Sequence, residues 1–458
     1  MTIESDLGPK LAMIGAAARE RIKYDMRSVA ELTDDGRVIP GDSGHGQSYR
    51  MTLVKEWQQK FEIMEDHVES ICTKLRGYLA YDALNLTLIA GRLTSRAGAG
   101  PGSSIAFDAG TSSIVGRLNY ASANHLQKVD AMLHADLWKG DAAEAFQEKY
   151  LNRLGEANAL QAGYSWALAL IVQMFHEGLD LLGDDLNKIV DACLAVLPAE
   201  SNWKLDAASN LSYASLAAGA AGLIPFPPLT FPAGAVSFSA GLASTYLAAT
   251  ADPSEPIYPP WPIEGATAIE ILESTWDAII EVEARMVQID ARISQVINGY
   301  LDDPAAFANT KMEVENPSVT SWPRSKIESG APGPINENPL VISVRDLYQA
   351  GYTLLPGFAQ EYESAVGICG TARLDSNLSD LYPRAVGDYE TARGRLERIL
   401  ADTSATAYKV GAALVTMMSE YELSDAENAE LIRQTGELTA PVPRTAPDQD
   451  PRPVRGAY

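Results

Sequence analysis

Ser43 lies in Gly41-Asp42-Ser43-Gly44, a glycine-flanked loop of the kind that presents an acyl-transfer nucleophile. That chemistry needs a histidine and a carboxylate held beside the serine, and β-barrels are one scaffold that holds them. The sequence offers no strand pattern of any length to build such a scaffold. His176-Glu177 falls on a helical segment, but position 180 is Asp180 where a zinc-protease helix carries its second His. His45, His67, His125, His134 and His176 are scattered over different elements. Asp184-Asp185 reads as a solvated helix face. The glycine-rich break at 97–102 is not followed by Gly-Lys-Ser/Thr, so it is no phosphate loop. The expectation is a protein that is not an enzyme, with no cofactor and no metal.

A different kind of signal runs from Trp138 to Phe146 (Trp-Lys-Gly-Asp-Ala-Ala-Glu-Ala-Phe). Trp138 can plug the end of one helix, and Gly140 can take the left-handed conformation that terminates it. Asp141 with Glu144 three residues on is a variant of the capping box that opens the next helix. Near the end of the last helical segment stands Tyr421-Glu422-Leu423-Ser424-Asp425. Tyr421 and Asp425, four apart, share one helix face and can be read together by a groove. The same spacing recurs at Tyr78 and Asp82. Tyr421 can also be read as a half-buried surface tyrosine, and Trp138 as a packing plug alone.

The corner resembles the signature of the WXG100 family, the small helical-hairpin proteins exported by type VII secretion systems. The Tyr421/Asp425 ending is similar to the Tyr-x-x-x-Asp/Glu export signal of type VII substrates. The resemblance covers roughly 105–200 and 341–436, as a tandem or fused version within one chain, although the second hairpin lacks a Trp-x-Gly corner. It implies that Trp138, Gly140, Tyr421 and Asp425 serve secretion and recognition. It further implies that the two hairpins lie side by side, with Trp138 and Tyr421 at the same end of one bundle.

The elements that would position these residues are helical throughout. Residues 1–50 read as an N-terminal arm with one short helix and a Gly-rich loop. From Met51 to about Arg96, Trp57, Phe61, Met64, Val68, Ile71, Leu75 and Leu79 recur at helical spacing. Ile114, Leu118, His125, Val129 and Leu133 form the stripe of the helix entering the corner. Phe146 through Ile189 keep a three-to-four spacing that predicts one uninterrupted long helix. The whole of 51–200 is the first helical domain.

Residues 201–252 form an apolar hairpin segment, of which 207–251 carry no charge and are interrupted by Pro225, Pro227, Pro228 and Pro232. Each side of the prolines offers about 18 apolar or small residues, the lower limit for crossing a bilayer. A Pro-rich linker and helix (253–302, the helix over Ile269–Ile297) and an extended linker (303–340) follow. The second hairpin occupies 341–436, from Val344 to about Ala372 and back along Tyr389 to Tyr421. The tail 437–458 is too polar and Pro-rich to fold. The expected fold class is all-α: long antiparallel hairpins packed as a bundle, with an Ala/Gly-rich apolar hairpin in the middle.

At 458 residues the chain can bury a sizeable core. Its formal charge is −24, which opposes nucleic-acid binding and simple attraction to anionic lipid. Cys72, Cys193 and Cys369 are odd in number and far apart, so buried free thiols are expected rather than a disulfide scaffold. Glu4 and Asp6 stand where a conventional signal peptide would be basic. With the resemblance, these features imply a type VII secretion substrate, secreted or envelope-associated by non-Sec export. It would act as a non-enzymatic effector or structural interaction protein in virulence or competition. Its partners would be the secretion ATPase, a small helical-hairpin protein or a second copy. The alternative is a membrane-inserting or pore-forming protein using 207–251. A third reading, the trafficking part of a polymorphic toxin, is disfavoured because only a short tail follows residue 436.

Overall fold

The computed structural model describes residues 3–41, 47–81, 83–94, 112–134, 146–198, 203–206, 262–304, 306–314 and 344–424. Its first element, α1 (Ile3–Met26), buries Leu7, Leu11, Ile14, Ala18 and Ile22 on one face, the spacing that makes a helix amphipathic. It is longer than the short helix expected. Strands β1 (Ala30–Leu32) and β2 (Val38–Pro40) then pair antiparallel, with Gly36 at φ 79° in the connection. A residue with a Cβ would be strained there.

The segment expected as one helix over Met51–Arg96 is two, α2 (Gln47–Tyr78) and α3 (Ala83–Thr94). The apolar spacing runs across the break, so it gives no warning of it. The amides of Leu79, Ala80 and Tyr81 reach back three residues rather than four, which tightens the last turn and ends α2. The Tyr78 hydroxyl is held by Glu283 at that point.

Ser113 caps α4 (Ile114–Ala121) by accepting from the Gly116 amide. A π turn (Ser122–Leu126) joins it to α5 (Gln127–His134). Beyond residues 135–145, Phe146 leads through a second π turn (Gln147–Leu151) into α6 (Asn152–Val196). This helix has 45 residues and at about 1.5 Å per residue is roughly 70 Å long, as the unbroken spacing predicts.

Strands β3 (Trp203–Asp206) and β4 (Pro262–Gly265) pair antiparallel, with Asp206 opposite Pro262. They lead to α7 (Ala268–Asp302), capped by Thr267. A short 3-10 turn (Thr310–Met312) follows. Next come α8 (Val344–Gln349), a third π turn (Ala350–Leu354) and α9 (Leu355–Thr371). The last described elements are α10 (Leu378–Leu381) and α11 (Pro383–Ser424).

The class is all-α, a helical bundle, with two short antiparallel ladders among the described residues that periodicity did not reveal because each strand has only three or four residues. The stretch expected as an extended linker from 303 is partly core. Phe307 and Met312 are buried, and the Phe307 ring stacks on Tyr164 at 3.6 Å. The apolar segment 207–251 lies outside the described residues, as do the Gly-rich loop at 42–46 and the tail 437–458.

Helix α6 is the common axis. Along its first half, Asn158 donates to the Leu118 carbonyl of α4 and to the Tyr362 hydroxyl of α9. Gln161 donates to Thr403 of α11, Ser165 to the Leu93 carbonyl of α3, and Tyr164 to the Ala392 carbonyl of α11. Along its second half, Lys10 of α1 reaches Asn187 and Asp191, and Arg285 of α7 meets Asp185. Asp185 is therefore buried in an ion pair and is not on a solvated face. Helix α2 closes this half through Arg19–Glu65 and Lys74–Glu283.

Candidate functional site at the shared end of the two hairpins

The two hairpins pack on each other. Leu118 lies beside Asn158, and a Cβ on Gly155 would touch Leu126, so α4/α5 runs antiparallel to α6. Arg117 pairs with Glu361 at 2.8 Å and His125 lies against Gly357, so α9 is antiparallel to α4 in turn. Ser404 donates to the Ala359 carbonyl, and Gly411 lies against Gly351, which orients α11 antiparallel to α9. The four helices form a bundle whose members alternate in direction. The exit of α5 at His134, the entry to α6 at Phe146, the start of α8 and the last turns of α11 all come to one end.

Of the residues read as secretion signals, Trp138 and Gly140 lie in 135–145, outside the described residues, and so does Asp425. Tyr421 is on the final turn of α11, where the sequence put it. The described residues flanking the corner are well packed. Phe146 is fully buried, with the Tyr150 ring 6.1 Å away. On α8 and its π turn, Tyr348 and Tyr352 stack at 5.6 Å and 9°, and Tyr352 is exposed.

The three π turns among the described residues belong to this end, 122–126 and 350–354 in mutual contact. A π turn shifts the helix face by a fraction of a turn and recurs at functional positions. Close approach is the local reason for Gly351 and Gly411. A Cβ on Gly351 would lie 2.9 Å from the Gly411 carbonyl, and one on Gly411 would lie 2.8 Å from the Gly351 carbonyl.

Sequence reading missed the polar spine inside the bundle. Asn158, Gln161 and Ser165 keep the three-to-four spacing within an otherwise apolar helix, and that interruption is the signal that could have found them. The phenols packed around this interior, Tyr164, Tyr362 and Tyr389, are all pushed above their ordinary pKa by burial. At the π turn, burial holds the His125 imidazole below its usual value, opposed by Glu361 and reinforced by Lys128.

The other chemistry-bearing groups stay apart. His176 lies 3.1 Å from Asp180, whose hydrogen bond raises its pKa against the effect of burial. Ser43 lies outside the described residues. Among the described residues there is no group of three or more His, Cys, Asp or Glu side chains placed to hold a metal, and no helix long and apolar enough to cross a membrane. Cys72, Cys193 and Cys369 are free and buried, as expected. Comparison with known families, curated proteins and solved structures returns no match.

Proposed function

We propose that the protein is a substrate of a type VII secretion system. It works outside the cytoplasm as a non-enzymatic effector or structural interaction protein, secreted or held in the envelope. The observation that carries this reading is the antiparallel packing of α4/α5–α6 on α9–α11. It brings the helices that flank the 135–145 segment, which holds Trp138 and Gly140, to the end where α11 finishes in the turn that carries Tyr421. One chain then supplies both halves of a bipartite signal. The partners of this end would be the secretion ATPase, a small helical-hairpin protein or a second copy. The test is export: Tyr421→Ala and Trp138→Arg should each deplete the protein from culture filtrate while the cell retains it. Unchanged export of both variants sinks the assignment.

A second reading, membrane insertion through 207–251, is favoured by one observation. The β3–β4 ladder sets Asp206 opposite Pro262, so the two ends of the segment that contains the uncharged stretch are held side by side, the spacing a hairpin requires. Leakage of liposomes by the full-length protein, abolished on deleting 207–251, supports it. No leakage from either protein removes it.

A further inference from the structure

His125 is seated on the π turn between α4 and α5, half-buried, with its imidazole pressed against α9 at Gly357. A Cβ at Gly357 would come within 2.4 Å of the ring Cε1 and 2.7 Å of Nδ1, so the ring occupies the space a side chain would need. Nδ1 is buried and has no hydrogen-bond partner. Glu361, the nearby carboxylate of α9, already accepts from Arg117 at 2.8 Å. The Tyr120 ring stands edge-on at 6.1 Å and 65°. We propose that His125 is a proton-sensitive latch between the two hairpins. Neutral, it wedges the π turn onto α9; protonated, it unseats α4 from α9 and loosens the end of the bundle.

The reasoning rests on what the second proton would meet. A neutral imidazole that keeps its proton on Nε2 leaves Nδ1 as a bare lone pair, which a buried apolar contact tolerates. Protonation turns this buried, unpartnered Nδ1 into an N–H donor beside the α9 backbone with no acceptor in place, so a buried donor goes unsatisfied. The charges acting on the ring are Glu361 of α9, which favours the cation, and Lys128 of its own helix, which opposes it. Helix α6 meets this turn through Gly155 against Leu126. The neighbouring π turn, Ala-Gly-Tyr-Thr-Leu, carries no charge.

Desolvation outweighs Glu361, so the seated ring has a lower pKa than the free one. The open state therefore takes up a proton first. The latch is fully seated above the ordinary His value of about 6.5 and weakens as pH falls from there through the seated value.

The test uses the full chain. The ring resonance of His125, assigned by its loss in His125→Gln, should titrate below the ordinary value. Between about pH 7.5 and about pH 5.5, hydrogen-exchange protection in 114–126 and 355–361 should fall several-fold more than in 268–302. His125→Gln should remove that excess. Gly357→Ala, which keeps α9 helical and displaces the ring toward solvent, should also remove it and bring the resonance back to the ordinary value. Titration of native His125 at or above the ordinary value, or an equal excess in His125→Gln, overturns the proposal.

Discussion

Asn158 of α6 donates to the hydroxyl of Tyr362 on α9 at 2.9 Å, and neither side chain reaches solvent. The same amide donates to the Leu118 carbonyl of α4, so one side chain ties three helices from both hairpins. Tyr362→Phe should destabilise the protein by about 1 kcal/mol, the net worth of one such bond. Asn158→Ala adds a cavity to the lost bonds and should cost about 2–4 kcal/mol. Urea unfolding of both single variants and the double variant should give a coupling energy above zero. Strict additivity would show that the contact does not hold the hairpins together.

The Asp185–Arg285 pair fastens α7 to the second half of α6, with 1% and 6% of the side chains exposed. Removing only the acid in Asp185→Leu leaves a buried guanidinium and should cost about 3–5 kcal/mol. The double variant Asp185→Leu/Arg285→Met should recover most of that loss, read as its thermal midpoint against the single variant. No recovery would mean that the pair contributes more than mutual compensation.

Where α11 crosses the third π turn, Gly411 and Gly351 bring backbone against backbone. A methyl group on either must push the helices apart. Gly411→Ala should therefore destabilise by about 1–3 kcal/mol, although alanine is the better helix former at a typical site. A stabilised Gly411→Ala variant in thermal denaturation would contradict this crossing.

Burial pushes the Cys193 thiol up to about 11 and Cys369 up to about 12, and raises Cys72 as well. All three should resist a thiol reagent at mildly alkaline pH and react together on unfolding. The unfolded chain ionises these thiols first. The stability they lend is thus intact below the ordinary thiol pKa of about 8.5 and is lost as pH rises toward the folded values. A thiol that reacts rapidly in the native protein would refute its burial.

The helices were legible because apolar residues at three-to-four spacing are what an amphipathic helix requires. Phe146 through Ile189 announced α6, and Val344–Ala372 with Tyr389–Tyr421 announced the second hairpin. What escaped the pattern was local or tertiary. The stop after Tyr78 is made by a hydrogen-bond shift and a contact with Glu283, neither of which periodicity encodes. Phe307 looked like linker because Pro304 precedes it, and only the facing Tyr164 ring makes it core.

The burial of Asp185 was invisible because its counter-ion lies a hundred positions away. The helix that carries Tyr421 and the close packing of the two hairpins agree with the sequence reading. Trp138, Gly140 and Asp425 are tested only by export.

Residues 207–261 depart from and return to paired strands. Replacing them with Asn-Gly, a turn that suits two antiparallel neighbours, should leave helicity by circular dichroism and the thermal midpoint close to native. A collapse of helicity would show that the excursion is needed for the bundle itself.

The central place of α6 carries a consequence for how the chain can be divided. This helix is core to the elements on its N-terminal and C-terminal halves alike, so neither group has a complete interior without it. Yet the strands that follow it set Asp206 opposite Pro262, so a cut between them leaves every described helix intact. Two fragments severed within 207–261 should each be incomplete and together sufficient. One contributes the axis with α1 to α5, the other the helices that clasp it, and reassembly by fragment complementation should restore a single folded particle.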